Sequence, residues 1–175
     1  MPSSITKGLT VGATLFGGLL AGVTANRALV QLPAWERIGL VPWATFTAAE
    51  NQGRGPIFYP VIGLAALLLT VATAIACHFD PDARRSRRFP LYSAALLALV
   101  WAAITRFVLV PATFHVNTAA NDAAELRQLF MTVTRWSGIN DALHVLTFGL
   151  SLWGLTELFS VPKVTSGSSP SSGRA

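Results

Sequence analysis

A short stretch near the end of the chain carries the side chains best suited to chemistry. Asp141 and His144 are three residues apart and Asn140 and His144 are four apart, so all three share one face of a helix. A carboxylate beside an imidazole can orient the ring and raise its basicity, as a general base near neutral pH requires. Asn140 and Asp141 equally suit a helix N-terminus, where they would cap free N–H groups. The spacing therefore permits either a catalytic His144 or a plain helix cap.

Other polar residues would join this group if the chain forms antiparallel helices. Asn26, Arg27 and Arg106 each lie near the end of an apolar run, at the depth expected for Asp141. Arg106 could stabilise negative charge on a bound oxygen, pair with Asp141, or snorkel to the headgroups, and Arg27 is expected to snorkel. We therefore predict a polar pocket that opens outward between the helices.

The residue types also include ligands for a transition metal. His115, Asp141 and His144 offer two imidazoles and a carboxylate, but no metal-binding spacing joins them. His115 follows an apolar run and could instead line the mouth of the pocket or lie exposed in a loop. Cys77 is the one cysteine, so neither an intramolecular disulfide nor a cysteine-based zinc site can form. We predict no metal and no other cofactor.

Membrane helices must position these residues, because the composition does not suit a water-soluble surface. The chain has 175 residues, 52% of them hydrophobic and 12% charged, with a mean hydropathy of +0.52. Soluble domains usually carry about 25% charged residues. The net charge of +5 is not arranged as a basic stripe with interleaved aromatic residues, so nucleic acid is not an expected partner. The expected partner is the lipid bilayer.

Four apolar runs are long enough to be membrane helices. We predict that the third ends at Pro111. The charge-free core of the fourth, Ala142–Thr156, is short for a spanning helix, so three spans remain an alternative. The first run is longer than a signal-peptide core, which favours a retained helix rich in small residues that would pack against protein. The runs are Gly8–Val30, Ile57–Cys77, Leu91–Val110 and Ile139–Phe159.

The loop charges predict how these spans are oriented. Lys7, the cluster Arg84–Arg88 and Lys163 would share one side of four alternating spans, so both termini are expected to be cytoplasmic. The loops Gln31–Pro56 and Ala112–Gly138 would then face outward. Three tryptophans in these loops are expected at headgroup level, namely Trp35, Trp43 and Trp136.

The remaining segments complete an all-α prediction. In the second outer loop, Asn121 could cap a short amphipathic helix whose apolar residues recur at helical spacing from Leu126 to Val133. Residues 161–175 are rich in Ser, Gly and Pro and are expected to form a flexible tail. Residues 1–160 would form one four-helix transmembrane bundle. The small-residue face of the first helix would be a natural surface for a homo-oligomer.

Three stretches of the sequence carry a likeness to a known family. They are the small-residue first helix that ends in Ala25–Leu29, the segment Leu32–Trp35 with Phe46–Gln52, and Arg135-Trp136 followed by Asn140. Together they span most of residues 8–160, and in them the chain resembles the anthrone oxygenase-like family of small membrane proteins. Where that family often has an arginine after the asparagine, this chain has Leu143.

The resemblance implies a cofactor-independent oxygenase in which an anthrone is deprotonated and reacts with dioxygen to give an anthraquinone. His144 would then be the base, Asp141 would orient it, and Arg106 with Asn26 or Asn140 would stabilise the developing oxygen anion. Trp136 or Trp101 could stack on the aromatic substrate, or could simply pack. The alternative is a non-enzymatic membrane protein that binds a small lipophile or acts as an accessory subunit.

Overall fold

The chain is an all-α integral membrane protein. The computed structural model describes residues 3–80, 85–119 and 122–160, and in these ranges it contains no strand. Four helical segments are long and apolar enough to cross a membrane, which confirms the number of predicted spans. They are Ser4–Ile38, Gly55–Phe79, Arg88–His115 and Ala123–Phe159.

Two of these segments contain a π-helical turn. The first consists of α1 (Ser4–Asn26), a π turn (Arg27–Gln31) and α2 (Leu32–Ile38). The third consists of α5 (Arg85–Ile104), a second π turn (Thr105–Leu109) and α6 (Val110–His115). The other helices are α3 (Leu40–Gln52), α4 (Gly55–Phe79) and α7 (Ala123–Phe159).

The long helices form a bundle in which α1 and α5 each pack against both α4 and α7. Small residues on α1 let its neighbours approach closely, because a Cβ built on Gly12 lies 3.5 Å from Leu69 and one on Gly18 lies 3.0 Å from Phe148. This confirms that the small-residue face packs against protein. Buried hydroxyls on α1 bond to their own helix, with Thr10 donating to the Thr6 carbonyl at 2.7 Å.

Helices replace most of the two predicted outer loops. We call the assembly of α2, α3, α6 and the first turns of α7 the outer cap. Its core holds Trp35 and Trp43. Trp43 is fully buried, and its ring meets that of Phe130 edge-on at a centroid distance of 5.1 Å. The headgroup positions expected for these two tryptophans are therefore wrong, because both rings pack inside the protein. Trp136 is half-buried on α7.

The helix predicted in the second outer loop is present, but it forms the first turns of α7 and is not a separate element. Asp122 caps α7, since its carboxylate accepts hydrogen bonds from the backbone N–H groups of Ala124 at 2.8 Å and Glu125 at 3.1 Å. Asn121, the expected cap, lies outside the described residues. Because α7 is continuous, Asn140 and Asp141 sit within the helix, and the prediction that they could cap it is wrong.

Prolines do not end the two helices that contain π turns. Pro111 was expected to stop the third span, yet the chain continues through the second π turn into α6. The Val110 N–H bonds to the carbonyl of Thr105, five residues back, and the Leu32 N–H bonds likewise to Arg27 just before Pro33. A proline ring clashes with the carbonyl four residues back in a regular α-helix. The wider turn accommodates the proline and keeps the helix going.

At the opposite end of the bundle, α1 is tied to the end of α4. Asp80 accepts hydrogen bonds from the Ser3 N–H at 2.8 Å and the Thr6 hydroxyl at 3.2 Å. The ammonium of Lys7 lies 5.6 Å from the centroid of the Phe159 ring on α7. The predicted tail, residues 161–175, and Arg84 of the basic cluster lie outside the described residues.

Candidate functional site

A group of polar side chains lies inside the bundle near the end that carries the outer cap. We call it the polar cluster. At about 1.5 Å per residue, Asp141 is about 27 Å along α7 from the inner end of the helix, close to the outer edge of a hydrocarbon core about 30 Å thick. Both π turns and α7 contribute to it, together with Trp101 of α5. Its members are Arg27, Trp101, Thr105, Asn140, Asp141 and His144.

Arg27 and Asp141 form a two-fold ion pair between the first π turn and α7. The guanidinium Nε donates to Oδ2 at 3.2 Å, and Nη2 donates to Oδ1. The side chain of Asp141 is 5% exposed and that of Arg27 is 29% exposed. This pairing corrects three expectations. Asp141 neither orients His144 nor pairs with Arg106. Arg27 pairs with Asp141 and does not snorkel to the headgroups.

His144 is buried and is held by Asn140 instead. The amide nitrogen of Asn140 lies 3.2 Å from His144 Nε2 and donates to the Thr105 hydroxyl at 3.1 Å. An amide nitrogen can only donate, so Nε2 accepts and the ring proton is on Nδ1. The imidazole in this arrangement is neutral. The ring of Trp101 packs against the imidazole, with a centroid separation of 4.3 Å and an angle of 42° between the ring planes.

Two buried polar atoms next to His144 have no hydrogen-bond partner within the described part of the chain. They are the Oδ1 of Asn140, a residue that is 2% exposed, and the Nε1 of Trp101, a residue that is 5% exposed. A buried donor or acceptor left unpaired is unfavourable by about 1–3 kcal/mol, so such atoms indicate a place for a bound molecule. The cluster therefore offers one free donor and one free acceptor.

Four residues predicted for the site do not enter the cluster, and one of them, Trp136, is half-buried on α7. Asn26, Arg106 and His115 are exposed at the surface of the helices. His115 Nδ1 lies 3.1 Å from the Pro111 carbonyl of its own helix. Within the described ranges Arg106 forms no ion pair, and no three His, Cys, Asp or Glu residues are grouped as metal ligands. The polar cluster is thus built from the polar residues of α7, Arg27 and two residues of the third span.

Two hollows lie at the outer end, away from the polar cluster. One of about 410 Å³ runs along α3, between Ala44 and Gln52, against Val116 and Leu126. The other, of about 260 Å³, lies at the junction of α3 and α4 beside Tyr59. Neither is lined by Asn140, Asp141 or His144.

Thr105 was not predicted for the site, and Trp101 was predicted only to stack on a substrate or to pack. A signal for both existed, because Trp101 and Thr105 are four residues apart and share a face of the third span. That face carries the only large aromatic ring and the only hydroxyl that meet Asn140 and His144 among the described contacts.

Known proteins offer no direct guide to this site. Comparison of the chain with family models, with curated proteins and with solved structures found no match in any of the three. What the structure shows is an integral membrane protein with four segments able to cross a bilayer and a buried polar cluster near one face.

Proposed function

We propose that this membrane protein binds a planar, hydroxylated aromatic lipophile beside His144 and oxygenates it without a cofactor. The observation that carries the proposal is the buried, neutral imidazole of His144, held between Asn140 and the ring of Trp101 within a membrane bundle. An aromatic face with a few directed polar groups is what such a ligand needs. The resemblance to the anthrone oxygenase-like family supplies the substrate class, an anthrone.

In the proposed reaction, His144 removes a proton from the ring carbon opposite the carbonyl of the anthrone. The carbanion gives up an electron pair to dioxygen, and the peroxide formed takes a proton. Loss of water leaves a second carbonyl, so one oxygen atom stays in the anthraquinone and the other leaves as water. His144 Nε2 is free to act as the base once the Asn140 amide turns toward the ligand.

The structure supports different roles for the other residues from those expected. The N–H of Trp101 is unpaired and could donate to an oxygen on which negative charge develops. Asp141 contributes through Arg27, by holding α7 against the first π turn, and is a positioning residue. Arg106 and Asn26 lie at the surface and take no part in this proposal.

A non-enzymatic protein that binds a lipophile, or an accessory subunit, is the second candidate. It is favoured by the hydrogen bond that occupies the lone pair of His144 Nε2 and by the close packing of the cluster. In that case Asn140 joins α7 to the second π turn through Thr105, and His144, its other partner, has no role as a base.

The deciding experiment measures anthrone consumption and oxygen uptake in membranes that contain the protein. We expect wild type to consume anthrone and dioxygen in equal amounts, His144→Ala to lose this activity, and His115→Ala to keep it, because His115 is exposed and outside the cluster. Saturable anthrone binding without oxygen uptake would favour the second candidate. Comparison of folded yield and tryptophan fluorescence separates loss of chemistry from loss of fold.

A further inference from the structure

We infer that the polar cluster accepts neutral ligands and rejects carboxylates, and that the Arg27–Asp141 pair sets this selectivity. The inference rests on the proposed function only in taking the cluster as a ligand site. It names the charge of the ligand and the residues that determine it.

The charges in the cluster are already balanced. Arg27 is the one cation among its members within the described ranges, and Asp141 binds the Nε–Nη2 edge of its guanidinium and neutralises its charge. His144 is neutral in its bond with Asn140. Arg106, the other arginine at this depth, is exposed. Within the cluster, the one positive charge is therefore already balanced by a carboxylate.

What remains for a ligand is a pair of neutral groups. Trp101 Nε1 can donate to a carbonyl or hydroxyl oxygen, and Asn140 Oδ1 can accept from a hydroxyl. A carboxylate brought here would lose its hydration, gain one hydrogen bond, and lie near the buried carboxylate of Asp141. A hydroxylated aromatic ketone loses far less hydration, and it satisfies both groups because its carbonyl accepts from Trp101 and its hydroxyl donates to Asn140.

Asp141→Asn offers a gain-of-function test of this assignment. The amide keeps the shape of the side chain but no longer neutralises Arg27, whose fork can then hold a carboxylate through two hydrogen bonds. The released guanidinium would become an anion site within reach of the ligand. The substitution should therefore reverse the preference without redesigning the pocket.

The measurement is equilibrium binding to the protein in lipid nanodiscs, with partition into empty nanodiscs subtracted. The probes are a dihydroxyanthraquinone and its analogue with one added carboxylate. We expect wild type to bind the neutral probe at least about tenfold more tightly, and Asp141→Asn to gain about tenfold for the carboxylate probe. Glu125→Gln removes the same charge from an exposed position on the same helix and should change neither affinity.

The double variant Arg27→Gln/Asp141→Asn removes the cation as well and should restore preference for the neutral probe. Equal binding of both probes by wild type would overturn the inference and leave the proposed function standing. A folded Asp141→Asn protein with unchanged carboxylate binding would do the same. Lack of saturable binding of the neutral probe by wild type would overturn the proposed function, and the inference with it.

Discussion

In the ion pair between Arg27 and Asp141, the carboxylate is more deeply buried than the guanidinium side chain. The carboxylate is 5% exposed and the arginine side chain is 29% exposed. Loss of the arginine leaves a buried charge without a partner, whereas loss of the carboxylate leaves an arginine whose long stem can reach the headgroups. We expect Arg27→Ala to lower the free energy of unfolding by about 3 kcal/mol and Asp141→Ala to lower it by less. Denaturant unfolding in detergent micelles measures both.

Arg106→Ala is the matched control, because it removes an exposed arginine from the corresponding π turn. Its effect on unfolding should stay within about 0.5 kcal/mol. A larger loss for Asp141→Ala than for Arg27→Ala would show that the arginine, and not the carboxylate, is the buried partner.

The sequence predicted which residues of α7 lie together, but it did not predict which arginine pairs with Asp141. Asn140, Asp141 and His144 were expected on one face of a helix, and they are. Helical spacing alone could not tell which neighbour Asp141 would contact, because Arg27 and Arg106 lay at the same expected depth. Both arginines lie in π turns, which change the direction of a side chain relative to a regular α-helix, and helical spacing does not predict such turns.

At the scale of elements, Gly39 separates α2 from α3. Its φ of 90° and ψ of 175° lie in a region that residues with a Cβ rarely adopt. We expect Gly39→Ala to destabilise the protein by about 1–3 kcal/mol through backbone strain, measured by thermal unfolding in micelles. Gly8 is an exposed position on α1, and a Cβ added there meets no atom within 4 Å. Gly8→Ala should therefore be neutral or slightly stabilising. Similar melting of both variants would argue against strain at Gly39.

The contact between α5 and α7 depends on a second glycine. A Cβ at Gly154 would lie 2.9 Å from Leu91 Cγ, and Leu91 is itself buried. We expect Gly154→Ala to destabilise the bundle by about 1–3 kcal/mol through overpacking, partly offset by the better helix propensity of alanine.

Gly149→Ala lies on the same helix and has no atom within 4 Å of its Cβ, so it isolates the propensity effect. It should leave the unfolding free energy unchanged or raise it by up to about 1 kcal/mol. If both alanine variants were equally stable, the helices would have to separate readily at this point, contrary to the packing described.

Hydropathy predicted the membrane segments, but it could not predict what lies beyond them. Apolar runs of the right length follow from the need to pair every backbone group inside lipid. Tryptophan is common at membrane interfaces, yet Trp35 and Trp43 lie in the core of the outer cap. An amphipathic ring suits either setting, so the choice depends on tertiary contacts with α6 and α7 that no local pattern records.

At the scale of the whole molecule, the helices are too long for the bilayer alone. The 37 residues of α7 extend about 55 Å, whereas a hydrocarbon core is about 30 Å thick. The excess lies at the end that carries the outer cap, where α3 is tied to α6 by the Asn51 amide donating to the Thr113 carbonyl at 3.0 Å. By this length argument, the cap extends the bundle beyond the hydrocarbon core.

The direction in which the cap faces remains a prediction from loop charge. Lys7 on α1 and Arg88 on α5 lie at the end away from the cap, and Arg84 and Lys163 follow the helices that end there in the sequence, so the cap should face outward. In a Cys77→Ser background, we expect Thr45→Cys on α3 to react with an impermeant thiol reagent in intact cells, and Ser166→Cys in the tail to react only after lysis. The reverse pattern would invert the orientation and place the polar cluster near the cytoplasm. Labelling of both from one side would mean that the cap and the tail share that side, and four spans could not be correct.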